Sequence, residues 1–283
     1  MANLKDIRTR IKSVKSIQQV TKAMKMVAAA KMRRAQERME QARPYSRKLT
    51  DLIKNLLPDI DRSLLPLLEV RDIKRHAFVV VTSDRGLAGS FNTNVVKAAQ
   101  NEIDKIGKEH VDLFCIGKKA RDHFKRRGYN IIYEHLGFWN ELCFEHALSF
   151  GHEITEHFIS GSVDHVQVVY NEFVNVAVQE VISEPLLPLK YDAEEINWEN
   201  RIFEPSKEKI ALNLIPRHLN VQMWKYLLES YASEQAARMV AMENATTNAQ
   251  DMIKDLTLEF NKARQTAITM EMLDIVGGAE ALN

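Results

Sequence analysis

Two long stretches free of glycine and proline, one near each end of the chain, constrain the fold more than any other feature. Residues 1–43 contain neither, and a ladder of small and apolar residues steps through them by seven: Ile7, Val14, Thr21, Ala28, Ala35 and Ala42. Ile11, Ile17, Met24, Met32 and Met39 flank that ladder. A seven-residue repeat of this kind is the seam of a coiled coil. Residues 217–276, between Pro216 and Gly277, are also uninterrupted, and their ladder runs Leu228, Gln235, Met242, Ala249, Leu256, Ala263, Met270. Tyr231, Ala245 and Met252 flank one side of it, and Ile253, Phe260 and Ala267 the other. At a rise of ~1.5 Å per residue the two helices reach ~60 Å and ~90 Å. Gly277-Gly278 reads as the stop of the second.

The segment between them has a different texture. The apolar run His76 to Thr82 reads as a buried strand, followed by Gly86 and Gly89 and a helix over Asn92–Lys108. Val111–Ile116 reads as a strand, Lys118–Arg127 as a short helix, Tyr129–Tyr133 as a strand and Asn140–Ile159 as a helix. Val166–Tyr170 and Val174–Ile182 read as paired strands turning at Asn171-Glu172. Alternating strands and helices predict a small parallel or mixed sheet with helices on its faces. A domain of about 120 residues is only ~36 Å across, so a ~90 Å helix cannot lie within it. The expected fold is therefore α/β: a long antiparallel two-helix coiled coil from the terminal segments plus a small Rossmann-like α/β domain. The boundaries fall at 1–57 for the first helix, 75–190 for the domain, 191–208 for a connecting loop and 209–283 for the second helix.

Charge divides along the same lines. The 283 residues carry 39 basic and 38 acidic side chains, a net +1. Residues 1–50 hold 14 Lys/Arg and 3 Asp/Glu, a net +11, which leaves −10 for the rest. Disordered, collagen-like and disulfide-scaffold classes are excluded by composition. Two cysteines, Cys115 and Cys143, make no disulfide framework, and the first residues lack the apolar core of a signal peptide. A reduced intracellular protein is expected, touching a membrane only through partners, because no apolar run approaches the ~18 residues of a span.

Catalytic chemistry is hard to find. The turn Ser83–Ser90, between a strand and a helix, lacks the Gly-Lys-Ser/Thr of a phosphate loop and the spacing of a dinucleotide fingerprint. His152 and His157 are five residues apart and cannot share one helix face as zinc ligands do; with His146 they are expected on an exposed face. Cys115 reads as a buried small hydrophobe, and Cys143 has no nearby basic group that clearly activates it. The last turns, Ala267 to Val276, are apolar nearly all round, the pattern of a helix enclosed by partners.

Five blocks carry a resemblance: Thr21–Met32, Ser83–Asn92, Ser233–Met242, Asn261–Gln265, and Ile268–Glu271 through Gly277–Leu282. Together, end to end and in order, they resemble the gamma-subunit family of rotary proton-translocating ATP synthases. The resemblance implies a non-catalytic rotor shaft, without a cofactor or metal of its own. It would couple rotation of a membrane c-ring to conformational change in the catalytic beta subunits, whose nucleotide sites belong to beta and alpha. It implies alpha and beta subunits, an epsilon subunit and the c-ring as partners, and a place on the cytoplasmic face of a bacterial plasma membrane. By position, Met24, Lys25, Lys31, Arg238, Arg264, Gln265, Thr269 and Glu271 resemble residues that contact beta or alpha. Phe203, Glu204 and Pro205 resemble part of the foot on the c-ring or epsilon. Ala88 and Ser90 stand where many relatives have Cys or Gly, and Asp274 stands for the commoner Glu. No regulatory cysteine-bearing insertion is present, so redox control of the plastid kind is not expected.

Two other readings compete. The +11 segment, with Lys12, Lys15, Lys22, Arg33, Arg34 and Arg38 among its cations, admits a basic scaffold that binds nucleic acid. It lacks interleaved aromatics and any known nucleic-acid module. The glycines Gly86 and Gly89 admit a nucleotide-binding enzyme, which requires a phosphate cradle in that turn.

Overall fold

A computed structural model of the chain describes residues 4–57, 60–61, 65–189 and 203–280. The loop expected over 191–208 lies outside these residues as far as 202. The elements run α1 (Leu4–Leu56), β1 (His76–Val81), α2 (Phe91–Ile106), β2 (Val111–Ile116), α3 (Lys118–Arg126), β3 (Asn130–His135), α4 (Phe144–Ile159), β4 (His165–Phe173), β5 (Gln179–Leu187) and α5 (Lys207–Glu280). The chain divides into two compact units, one of residues up to Ala28 with those from Met239 on, the other Ala29–Arg238.

The larger unit is built on a five-stranded sheet of order β3-β2-β1-β4-β5. β1 pairs in parallel with β2 and β4, β2 in parallel with β3, and β4 antiparallel with β5. Side chains alternate across a strand, and both faces are covered. Ala77, Val79 and Val81 of β1 join Phe114, Ile116, Val168 and Tyr170 in one core with α4, the second half of α1 and the first part of α5. Phe78 and Val80 join Leu113, Cys115 and Val169 in a second core with α2 and α3. Burial on two faces explains why β1 and β2 read as continuous apolar runs.

Two sequence expectations differ from the structure, the stop at Gly277-Gly278 and the β4–β5 turn, and both long helices run through a proline. α1 passes through Pro44, although a helix-interior proline costs about 3 kcal/mol. Leu49, Ile53 and Leu56 beyond it are buried, and burying each such side chain contributes about 1.5–3 kcal/mol. α5 likewise continues through Pro216, and through Gly277 and Gly278 to Glu280, so the double glycine does not stop it. A C-terminal glycine stop needs a left-handed backbone, which neither glycine adopts; in a helix each costs only about 1 kcal/mol. The β4–β5 turn is not at Asn171-Glu172, which lie within β4. It is set by Asn175, whose side-chain oxygen accepts from the backbone N–H of Ala177 and Val178, both at 2.9 Å.

Two features of this unit have measurable consequences. Gly117, between β2 and α3, has φ +100°, and a Cβ there would overlap the Thr82 carbonyl oxygen. Gly117→Ala is expected to cost roughly 3 kcal/mol, from the left-handed strain and the clash together, read as a shift in the urea midpoint. His218 on α5 is buried, and burial holds its imidazole down to about 4. In the unfolded chain it titrates near 6.5. Its contribution to stability is therefore complete above about pH 6.5 and is lost as the pH falls toward 4, by about 3 kcal/mol in all. His218→Gln should flatten the stability–pH curve between those limits.

Candidate functional site

The smaller unit is an antiparallel helix pair. Along α1 the inward residues step by four and three: Ile7, Ile11, Val14, Gln18, Thr21, Lys25 and Ala28 are buried or half-buried. On α5 the matching row is Met242, Thr246, Ala249, Ile253, Leu256, Phe260 and Ala263. Val14 packs with Ala249 and Leu256. The Thr21 and Thr246 hydroxyls lie 2.8 Å apart, the Arg8 guanidinium lies over the Phe260 ring, and the Lys25 ammonium meets Glu243 at 2.7 Å. Ile17 and Met252, expected beside the seam, are instead exposed, and Met24 is half-buried.

Apolar surface is left over on this unit. Ile17, Val20, Met26 and Val27 on α1 are all more than half exposed. On α5 every described side chain from Ile268 to Gly278 is exposed, including Met270, Met272, Leu273, Ile275 and Val276. Thr269 and Glu271 lie on exposed positions of the same stretch and Arg264 and Gln265 on exposed positions just before it, with the Thr269 hydroxyl donating to the Gln265 carbonyl at 2.9 Å. Soluble monomers rarely leave a contiguous apolar patch of this kind uncovered, and such patches mark interaction sites.

The remaining candidate residues lie in the larger unit. Lys31 donates to the Asn140 side chain at 3.0 Å, and Arg38 donates to the Leu142 carbonyl at 2.9 Å. Arg238 is buried, donates to the Gly86 carbonyl at 2.7 Å, and forms a close ion pair with Glu234, one helical turn back. Glu234 was not singled out by sequence; the i,i+4 spacing Glu234/Arg238 on an unbroken helix was its only signal. Phe203 packs against the main core with the Lys207 ammonium over its ring, while Glu204 and Pro205 are exposed.

The Gly86/Gly89 turn makes no phosphate cradle. Asp84 accepts from the backbone N–H of Lys118 and of Gly137, both at 2.8 Å, so the chain's own carboxylate occupies the N-terminus of α3. Asn92 ties back to Ser83 and to the Arg85 carbonyl. Cys115 is buried, its thiol pushed up to about 12 by burial, far from a reactive thiolate. Cys143 has a basic neighbour that the sequence reading did not name: His146 Nδ1 lies 3.0 Å from its sulfur. A hydrogen bond to Glu145 nevertheless raises the thiol rather than activating it. Of the three histidines expected on an exposed face only His152 is there. His146 and His157 are half-buried, against Phe138 and Phe114.

Residues 3–282 match the model of the family described as ATP synthase. The ATP synthase gamma chain of Chloroherpeton thalassium is 49% identical over 300 residues, covering 100% of this chain and 99% of the relative. The chain belongs to the ATP synthase gamma-chain family. The gamma chain of Cytophaga hutchinsonii is 48% identical over the whole of both chains. Among solved structures, the central stalk and c-ring of the Tetrahymena thermophila mitochondrial ATP synthase contains a chain similar to this one at TM-score 0.64 and 26% identity, covering 80% of this chain and 99% of that one. The mitochondrial enzyme of Euglena gracilis contains another with the same fold, at TM-score 0.71 and 21% identity over 99% and 94% of the two. The chain is thus a non-catalytic subunit of a membrane-associated complex, and among the described residues no helix is long and apolar enough to cross a membrane. The nucleic-acid reading of the basic helix finds no support in this family.

The helix pair makes a graded prediction. Leu256→Ala should cost about 2–3 kcal/mol, because it opens the small seam. Lys25→Ala should cost less than about 1 kcal/mol, since its ion pair with Glu243 is solvent-accessible. Calorimetric melting of the two variants checks both.

Proposed function

We propose that the chain is the rotating central shaft of its ATP synthase, driven by the c-ring and driving the catalytic beta subunits. The observation that carries the reading is the helix pair, whose own seam is narrow and which leaves Ile17, Val20, Met26 and Val27 of α1 and the apolar side chains from Ile268 to Val276 of α5 uncovered. Such a surface fits a sleeve. A tip whose charges are confined to Glu271 and Asp274 turns inside it while breaking few buried ion pairs, each worth several kcal/mol. Two helices cannot match the threefold symmetry of a ring of three alpha and three beta subunits, so each beta subunit meets a different face in turn.

In this reading Met24, Lys25, Lys31, Arg238, Arg264, Gln265, Thr269 and Glu271 meet beta or alpha. Lys25 is already shared with Glu243 and Lys31 with Asn140, so steering by an acidic partner surface falls on exposed cations such as Lys22, Arg33 and Arg34. Phe203, Glu204 and Pro205 meet the c-ring or the epsilon subunit, at the cytoplasmic side of the plasma membrane. Nucleotide sites lie on the partner subunits, in keeping with a Ser83–Ser90 turn whose Asp84 carboxylate already fills the N-terminus of α3.

Reconstitution tests the proposal. Added to purified alpha and beta subunits, the chain should restore rotation-coupled ATP hydrolysis while binding no ATP itself in calorimetry. Equal restoration by a chain lacking residues 217–283 would overturn it.

A further inference from the structure

An α/β sheet of this kind binds ligands at the carboxyl ends of its strands, where successive crossovers diverge to opposite faces. Here α2 and α3 cover one face and α4 the other, which puts that point between the neighbouring strands β1 and β4. The crevice is not open. α5 runs across it: the buried Ser233 hydroxyl donates to the carbonyl of Asn171 in β4 at 3.3 Å. Arg238 donates through one terminal nitrogen to the carbonyl of Gly86 in the turn after β1, and through the other to Glu234. Upstream, the Glu229 carboxylate accepts from the Phe173 backbone at the end of β4. A helix of the same chain sits where a ligand would.

Packing alone would hold α5 there, since Ala232 and Ala236 are fully buried beside these residues. Apolar contact is non-directional and tolerates rotation of a helix about its own axis. Hydrogen bonds are directional, and a guanidinium held at two points is more so. A buried ion pair is also weak support for stability compared with apolar side chains of the same size. What Glu234 and Arg238 add is angular registry.

Building on the shaft reading, we infer that the Glu234–Arg238–Gly86 joint locks α5 to the α/β sheet against twisting, so that torque passes between sheet and helix through it. Arg238 is then a positioning residue, whatever surface it also offers to a partner.

The test uses the whole complex in sealed vesicles and reads protons pumped per ATP hydrolysed, from dye quenching and phosphate release. The double variant Glu234→Gln/Arg238→Met keeps the packed volume, removes both charges and is expected to lower that ratio at least threefold; an unchanged ratio would overturn the lock. A second variant, Gly86→Cys/Arg238→Cys on a Cys143→Ser background, should be equally uncoupled until bridged by bismaleimidoethane, and then regain most of the ratio. Gly86 accepts the change, because its Cβ would meet only the Lys119 ammonium at 4.0 Å. A low ratio that bridging does not raise also overturns the lock, since Arg238 would then act through a partner subunit. The shaft reading fails separately, if complexes lacking the chain still pump.

Discussion

Alternating steps of four and three along α1 are the constraint on which the rest of the molecule depends. From Ile7 to Leu56 the inward row never loses step, and it meets two environments. In the smaller unit it passes from Ile7, Ile11 and Val14 to the shorter or polar Thr21, Lys25 and Ala28, and faces a row on α5 that runs from Phe260 back to Met242. In the larger unit the same row supplies Met39, Leu49, Ile53 and Leu56 to the main core. One repeat thus serves as a narrow seam along part of its length and as a wall of a globular core along the rest. That is why the helix survives Pro44: the residues beyond the proline are held by the core rather than by local propensity.

The α/β unit shows a fold with its usual chemistry closed off. Asp84 fills the helix N-terminus that could hold an anion, Asn92 accepts from the Ser83 backbone, and α5 covers the strand ends. Each closure satisfies polar groups that would otherwise need water or a ligand. What remains is a platform that grips a helix.

Much of this was legible in the sequence because it rests on periodicity. The strand Val111–Ile116 and the start of α3 were read where they stand, since apolar runs bounded by glycine leave little choice. The double glycine Gly277-Gly278 misled because composition reports the option of a left-handed turn and not its use. The β4–β5 turn was missed because it is made by one side chain, Asn175, folding onto its own backbone. Of the proposed contact residues, Thr269 and Glu271 stand on the exposed helix as an unpartnered apolar stretch suggests, but Arg238 is buried. Its Gly86 partner lies 152 residues away, and no local pattern reports a contact of that range. Glu234 is marked in the sequence only by its i,i+4 spacing to Arg238, because its burial is decided by the sheet it lies against.

The uncovered end of α5 has a consequence for how such a protein is made. A run of exposed methionine, leucine, isoleucine and valine is adhesive to any other apolar surface in the cell. Residues 268–280 leave the ribosome after every other described part of the chain, so the adhesive segment appears only once the sheet and both cores can already have closed. From then on the molecule is exposed to a race between capture by its proper subunits and aggregation. The order of synthesis shortens that race by exposing the hazard only after the other described parts of the chain.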